Sequence, residues 1–385
     1  MPLIPSAYKN ILEHQRVYDL IWTQRPTWQK RTSSTWWYFL LCPQDAEGYG
    51  PRQMMFSIAT RVNAGRPVQI SNLEFAGLDL HRPVKEGVDC FPAVAVGWYF
   101  DGRTMHEEIL STTAVAHLSL SDRIISCQNG QSGQEYTICA SEARPLALES
   151  HIEGLHGRAQ FTAWGDLNCL DNAPHEAVNI NSFLGGTHMV AWRRIHFQGE
   201  FDLPGTGRET LQGYGYFQRV CLNVPAFPWK WLWAIFPDGS IFSSYVPYVG
   251  HNLFRRGYHF YGNRQEQATI SIAPKSFWDW AGASPRIWLT HQTQVTPVLG
   301  RAEHPHFEVS ARNKEGDFLQ FTAVPTARTG FFLERSIGSR RSHWNYNEYP
   351  FRMENVEGRI QGRTINRETM GQGFGNLEYT WGLGL

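Results

Sequence analysis

Val94-Ala-Val-Gly-Trp-Tyr-Phe100, the pair Asp101-Gly102, then Ile109-Leu-Ser-Thr-Thr-Ala-Val-Ala-His-Leu-Ser-Leu120, Arg123–Gln128, Asn129-Gly130 and Tyr136–Ala140 decide the fold class. Each run is rich in β-branched and aromatic residues, the side chains that suit a pleated, half-buried surface. The runs are cut by Asp-Gly and Asn-Gly, the dipeptides that favour tight antiparallel hairpins. Working outward, the same texture begins after Pro26, with Trp36–Leu41, Gln53–Val62 (followed by the turn Asn63-Ala64-Gly65) and Val68–Phe75. It resumes from about 211 with Gly213–Leu222, Leu232–Phe236, Ile241–Val246, Phe318–Ala323, Met353–Gln361 and Asn376–Trp381. No long amphipathic helices alternate with these runs, which disfavours a parallel α/β fold. Many meandering strands suggest barrels, since closure removes sheet edges. Only residues 7–22 have helical spacing, with Ile11, Leu12, Tyr18 and Ile21 on one side. The expected fold is all-β, two tandem antiparallel barrels after a short N-terminal helix. The polar, Gly-rich stretch Phe201–Arg208 is the expected boundary, dividing the chain into 1–200 and 201–385.

Composition narrows the function. Among 385 residues, Lys plus Arg equals Asp plus Glu at 35 each. A balanced charge argues against nucleic acid or an anionic membrane as the main partner. No run approaches the roughly 18 apolar residues of a membrane span, and the first residues carry no signal-peptide pattern, so a cytoplasmic location is expected. Six cysteines lie far apart without a CxxC, which fits reduced core thiols. His304 and His306 have ligand spacing with Glu303 and Glu308 nearby, yet a third ligand at motif spacing is missing, so no metal site is expected. The anomaly is aromatic: 15 Trp, 15 Tyr and 23 Phe in a chain with only 18% charged residues. A large β core accounts for many of these rings. The Trp clusters also point to an aromatic-lined pocket.

Three stretches carry the functional signal. The first is Thr35-Trp36-Trp37-Tyr38-Phe39, where a strand sends Trp36 and Tyr38 to one face and Trp37 and Phe39 to the other. The second runs Gly213-Tyr214-Gly215-Tyr216-Phe217-Gln218-Arg219-Val220, then Asn223-Val-Pro, then Trp229-Lys-Trp231-Leu-Trp233, ending at the turn Asp238-Gly239-Ser240. The third pairs Glu354–Gln361 with Gly371–Trp381. Nucleotide and hydrolase motifs such as GxGxxG before a helix, the Walker loop, HExxH and GxSxG are missing.

In order and separation, these stretches resemble the superfamily of carotenoid 1,2-hydratases, AttH-like proteins and lipocalin-like Diels–Alderases. The resemblance implies tandem lipocalin-like (calycin) barrels, a hydrophobic pocket in or between them, and no cofactor. The chain departs from the hydratase pattern at two places. Thr35 stands where that branch has an acid, and Phe217, Gln218 and Arg219 stand where it has a His-Asp-His-like cluster. Alkene hydration needs a strong general acid, normally a carboxyl group with its pKa raised by burial, and the matched positions do not supply one.

Candidate residues follow. Glu74 in an apolar strand and Glu354 and Glu378 in the C-terminal pair are the remaining candidate acids, each with a structural hydrogen bond or ion pair as its commoner role. Gln218, Arg219, Tyr216 and Tyr258 are expected to polarise a carbonyl, with Arg219 holding a carboxylate or carbonyl or else reaching solvent. Trp36, Tyr38, Asn223, Trp229, Trp231 and Trp233 are expected to line the substrate, with His251 and Tyr258 at the mouth. The function expected is a cofactor-independent lyase or isomerase, of cyclase or hydratase type. Its substrate would be an apolar isoprenoid, polyene or polyketide-like molecule. A non-catalytic carrier of lipid or pigment is the alternative from another class, and a structural module requires barrels filled by side chains.

Overall fold

A computed structural model describes residues 13–23, 34–45, 48–61, 68–71, 73–75, 87–165, 173–182, 185–222, 228–249, 258–259, 267–271, 286–289, 291–300, 302–337 and 340–383. Ten antiparallel strands make the first sheet: β1 (Ser34–Asp45), β2 (Gln53–Arg61), β3 (Val88–Phe100), β4 (Met105–Ser119), β5 (Ile124–Asn129), β6 (Gln134–Ala140), β7 (Leu148–Glu153), β8 (Arg158–Trp164), β9 (Gly185–Leu203) and β10 (Gly207–Leu222). Their order is β8-β7-β6-β5-β4-β3-β2-β1-β10-β9, and β9 pairs back onto β8, closing a barrel. His175–Ser182 adds to β9 outside the ring.

The second sheet holds β11 (Trp229–Ile235), β12 (Ile241–Val249), β13 (Gln267–Ser271), β14 (Arg286–Trp288), β15 (Gln292–Val298), β16 (His306–Arg312), β17 (Phe318–Pro325), β18 (Thr329–Ile337), β19 (Arg340–Ile360) and β20 (Phe374–Leu383). It runs β14-β13-β12-β11-β20-β19-β17-β16-β15, with β18 beside β19. The sheet curls around its own apolar core: Lys230 on β11 donates from Nζ to the Val295 carbonyl on β15 at 2.7 Å, and Phe242 meets Phe321 edge-on at 5.5 Å.

The all-β reading holds. The turns are built as their residues demand: Asn129 Oδ1 accepts from the backbone of Gln131 and Ser132, and Asp101 Oδ1 from Arg103 and Thr104. Asn63-Ala64-Gly65 lies outside the described residues. Residues 13–19 are helical, and they stopper one end of the barrel. Tyr18 donates to the Ala147 carbonyl at 2.8 Å, and Trp37 Nε1 donates to the Ile21 carbonyl. Among the described residues, no helix is long and apolar enough to cross a membrane.

Phe201–Arg208 forms the hairpin between β9 and β10, within one sheet. The chain lends Val68–Ile70 and Leu73–Phe75 to the second sheet early, beside β18, and passes to it for good between Leu222 and Trp229; a Gly-rich polar stretch marks a tight turn as readily as a linker. Among the described residues, aromatic side chains occupy the barrel interior. Trp37, Phe39, Phe56, Phe161, Trp192 and Phe217 fill it with neighbours from every wall, and Phe39 meets Phe161 across the ring at 5.3 Å.

Burial patterns reveal where the sheets meet. Strands β5 to β8 alternate buried and wetter positions, whereas β1 is buried continuously from Trp37 to Cys42. A strand covered on both faces has no polar alternation. Trp37, Phe39 and Leu41 point into the barrel; Tyr38, Leu40 and Cys42 pack with Trp98, Trp231 and Trp233 between the sheets. Gly213 and Gly215 make β10 fit there, since a Cβ would lie 2.2 Å from the Cys42 carbonyl oxygen and 2.4 Å from that of Leu40.

Candidate active site between the sheets

Alternation along β19 and β20 sets the site. In Tyr346-Asn347-Glu348-Tyr349, residues 346 and 348 turn to the barrel, while Tyr349 joins the core of the curled sheet. In Asn376-Leu377-Glu378-Tyr379-Thr380, Leu377 and Tyr379 enter that core, leaving Asn376 and Glu378 on the barrel side. The register places Glu348 directly opposite Glu378. Two carboxyl groups therefore stand as a cross-strand pair on one face, a few ångströms apart.

Both are buried, at 0% and 4% relative exposure. Glu348 Oε2 accepts from Asn376 Nδ2 at 2.8 Å, Trp98 Nε1 at 3.1 Å and the Tyr38 hydroxyl at 3.4 Å. Glu378 Oε2 accepts from Trp229 Nε1 at 2.7 Å. Among the described residues, Oε1 of each carboxyl has no hydrogen-bond partner of good geometry. Burial raises both carboxyls well above the usual range, and for Glu348 the charge of Glu378 adds to the effect. These donors and the nearby Tyr346 hydroxyl offset only part of it. Like charges this close in a poorly solvated site resist joint ionisation, so the pair keeps at least one proton near neutrality. It can give a proton from one carboxyl and receive one at the other.

Rings surround the pair. Trp231 meets Tyr38 edge-on at 6.0 Å and Tyr216 at 4.9 Å, and Trp229 lies against Tyr346 at 6.1 Å. Trp233 donates from Nε1 to the Arg193 carbonyl at 2.7 Å, and Gln53 Nε2 to the Gly375 carbonyl at 2.8 Å. Both bonds cross from one sheet to the other, so the wall is fixed by both.

Of the residues expected from sequence, Trp36, Tyr38, Tyr216, Trp229, Trp231 and Trp233 all gather in this inter-sheet cluster. Gln218 shares the face of Tyr38, its register partner, and accepts from the Tyr216 hydroxyl at 3.0 Å. Arg219 turns the other way. Inside the barrel mouth it donates to the Thr23 carbonyl at 2.6 Å, contacts His188 at 2.9 Å and lies over Trp37. Glu354 is half-buried and pairs with Arg352. Glu74 belongs to the short strand Leu73–Phe75, with its side chain outside the described set. Tyr258 sits in the strand Tyr258–His259, its side chain likewise not described, and Asn223 and His251 lie outside the described residues. His304 packs edge-on against Tyr349. Sequence reasoning missed Glu348. The available signal was one carboxylate in the strand-like run Asn345-Tyr-Asn-Glu-Tyr-Pro350, sharing a face with Tyr346.

A cleft of about 200 Å³ is lined by Ser71, Glu107, Arg328, Phe331, Phe332 and Tyr346 among others. Tyr346 thus borders both the cleft and the acids.

No family model matches the sequence, and no curated protein sequence matches it. Solved structures similar to this chain include CghA with Sch210972, at 8% identity and TM-score 0.48, covering 91% of this chain and 88% of that one. Kievitone hydratase from Nectria haematococca aligns at 13% identity and TM-score 0.44, covering 94% and 92%. A putative AttH from Nitrosomonas europaea aligns at 11% identity and TM-score 0.42, covering 90% and 92%.

Proposed function

We propose that this chain is an enzyme of the lyase or isomerase type, a hydratase or cyclase, whose acid is the Glu348–Glu378 pair. The observation that carries the reading is the burial of two opposed carboxyls, with raised proton affinity, among aromatic walls. Protonating an alkene or a carbonyl needs such an acid. The pair supplies what Thr35 and Phe217–Arg219 do not.

The substrate is an apolar isoprenoid, polyene or polyketide-like molecule. The protonated carboxyl transfers its proton to an alkene carbon, or to a carbonyl oxygen where ring closure needs a polarised double bond. The faces of Trp229 and Trp231 stabilise positive charge that develops. In hydration, water adds its oxygen to the cation and loses a proton to the ionised carboxyl. In isomerisation or cyclisation, the substrate carbon loses the proton instead. Either way one proton is given and one taken, so the pair ends with its original proton count and no external oxidant or reductant is consumed. A carrier of an apolar guest has no need for two desolvated acids, which weighs against the alternative.

The test is incubation in D2O with a panel of polyenes, isoprenoids and unsaturated polyketides, read by mass spectrometry. Enzyme-dependent addition of D2O, or a single deuterium on carbon, lost in Glu348→Gln and Glu378→Gln, is the expected result. No turnover across the panel, together with a tightly held apolar molecule in native mass spectrometry, would establish the carrier instead.

A further inference from the structure

We propose that the cleft beside Tyr346 is an anion site, in which Arg328 binds a carboxylate carried by an apolar molecule. The site stands apart from the acid pair, and its test is a binding measurement.

The argument starts from Arg328. It is exposed on the segment leading into β18, and both Nε and Nη2 donate to Asn347 Oδ1, at 3.0 and 2.6 Å. Asn347 is itself held, donating from Nδ2 to the Tyr379 carbonyl at 3.1 Å. The guanidinium is therefore fixed in position, so little conformational entropy remains to be lost when a ligand binds. Its partners, Asn347 and the Tyr349 hydroxyl, are neutral. Among the described residues no carboxylate forms an ion pair with it, which leaves a positioned cation with spare donors. A planar fork of this kind matches a carboxylate.

The rest of the cleft agrees with an anionic head on an apolar molecule. Phe331 and Phe332 give it an apolar wall, and Phe332 keeps 41% of its surface exposed. Its volume of about 200 Å³ has room for roughly seven waters at ~30 Å³ each, which suits the end of a long molecule better than the whole. Tyr346 borders the cleft, while the Asn347 and Tyr349 side chains that hold Arg328 lie on the face of β19 opposite Glu348, so the bound carboxylate sits apart from the acid pair. The opposing feature is Glu107, which reaches the cleft from the barrel strand β4 and repels an anion. This confines the carboxylate to the Arg328 side.

The experiment titrates the full-length chain with trans-cinnamate and with its neutral amide, trans-cinnamamide, by calorimetry. Cinnamate is expected to bind more tightly than the amide. Arg328→Gln should weaken cinnamate at least tenfold with the amide unchanged, and Glu107→Gln should strengthen cinnamate a few-fold. The proposal fails if cinnamate binds no better than the amide or not at all, if Arg328→Gln leaves it unchanged, or if Glu107→Gln weakens it. Glu348→Gln, run alongside, keeps cinnamate binding. Failure of the site thus appears in affinity, and failure of the acid pair appears in deuterium incorporation.

Discussion

Tyr38 and Glu348, 310 positions apart in the chain, meet at 3.4 Å, where the phenol of a barrel strand donates to a carboxyl of the curled sheet. Trp98 reaches the same oxygen from the barrel at 3.1 Å, and Asn376 from the curled sheet at 2.8 Å. The acid is therefore made by the junction, and neither sheet alone would bury it.

The raised carboxyls set the direction of a pH effect on stability. Below the ordinary carboxylate pKa, both folded and unfolded chains hold these protons and no penalty arises. As pH climbs from there through the folded values, the unfolded chain releases protons that the folded chain retains, so stability falls. The double variant Glu348→Gln, Glu378→Gln should lose this part of the alkaline decline. Thermal unfolding between about pH 5 and pH 9 checks it: the variant's advantage over the wild type should grow with pH.

Asn376 and Tyr38 should differ in weight, because a short bond to a buried carboxyl is stronger than a long one. Asn376→Ala is expected to cost about 1–3 kcal/mol by leaving Glu348 short of a donor. Tyr38→Phe is expected to cost less than about 1 kcal/mol. Urea unfolding of the two variants and their double mutant would read both costs and their coupling.

Arg219 acts on the helix stopper through its bond to the Thr23 carbonyl. Arg219→Gln should lower stability by about 1–3 kcal/mol and loosen the N-terminal segment, seen as faster amide exchange at residues 15–23. Turnover per folded molecule should stay near the wild-type value. A selective loss of turnover would place Arg219 in the reaction.

Gly215→Ala tests the fit of β10 against β1. A methyl group there would meet the Leu40 carbonyl oxygen at 2.4 Å, and backbone cannot swing aside as a side chain does. A destabilisation of about 1–3 kcal/mol or more is expected. Because Tyr216 is the next residue, near-ultraviolet circular dichroism should also report disturbed aromatic packing.

Much of this protein is legible in the order of its residues. Period-two runs, Asp-Gly and Asn-Gly turns and the doubly apolar β1 specify antiparallel sheets, and one strand buried on both faces. The Trp-x-Trp-x-Trp run of β11 already says that three indoles share a face. These are local properties, set by the alternation of side chains along an extended backbone and by turn sterics.

Pairings between distant strands are a different matter. Whether Arg219 enters the barrel or the junction depends on which face of β10 the partner sheet covers. Glu348 becomes an acid only because β19 and β20 align it with Glu378, and Trp98 arrives from the barrel to close off water. Proton affinity follows from solvent exclusion and neighbouring charge, and both belong to the assembled sheets. The sequence alone determined the strands and their apolar faces; tertiary packing alone decided which carboxyls lost their water.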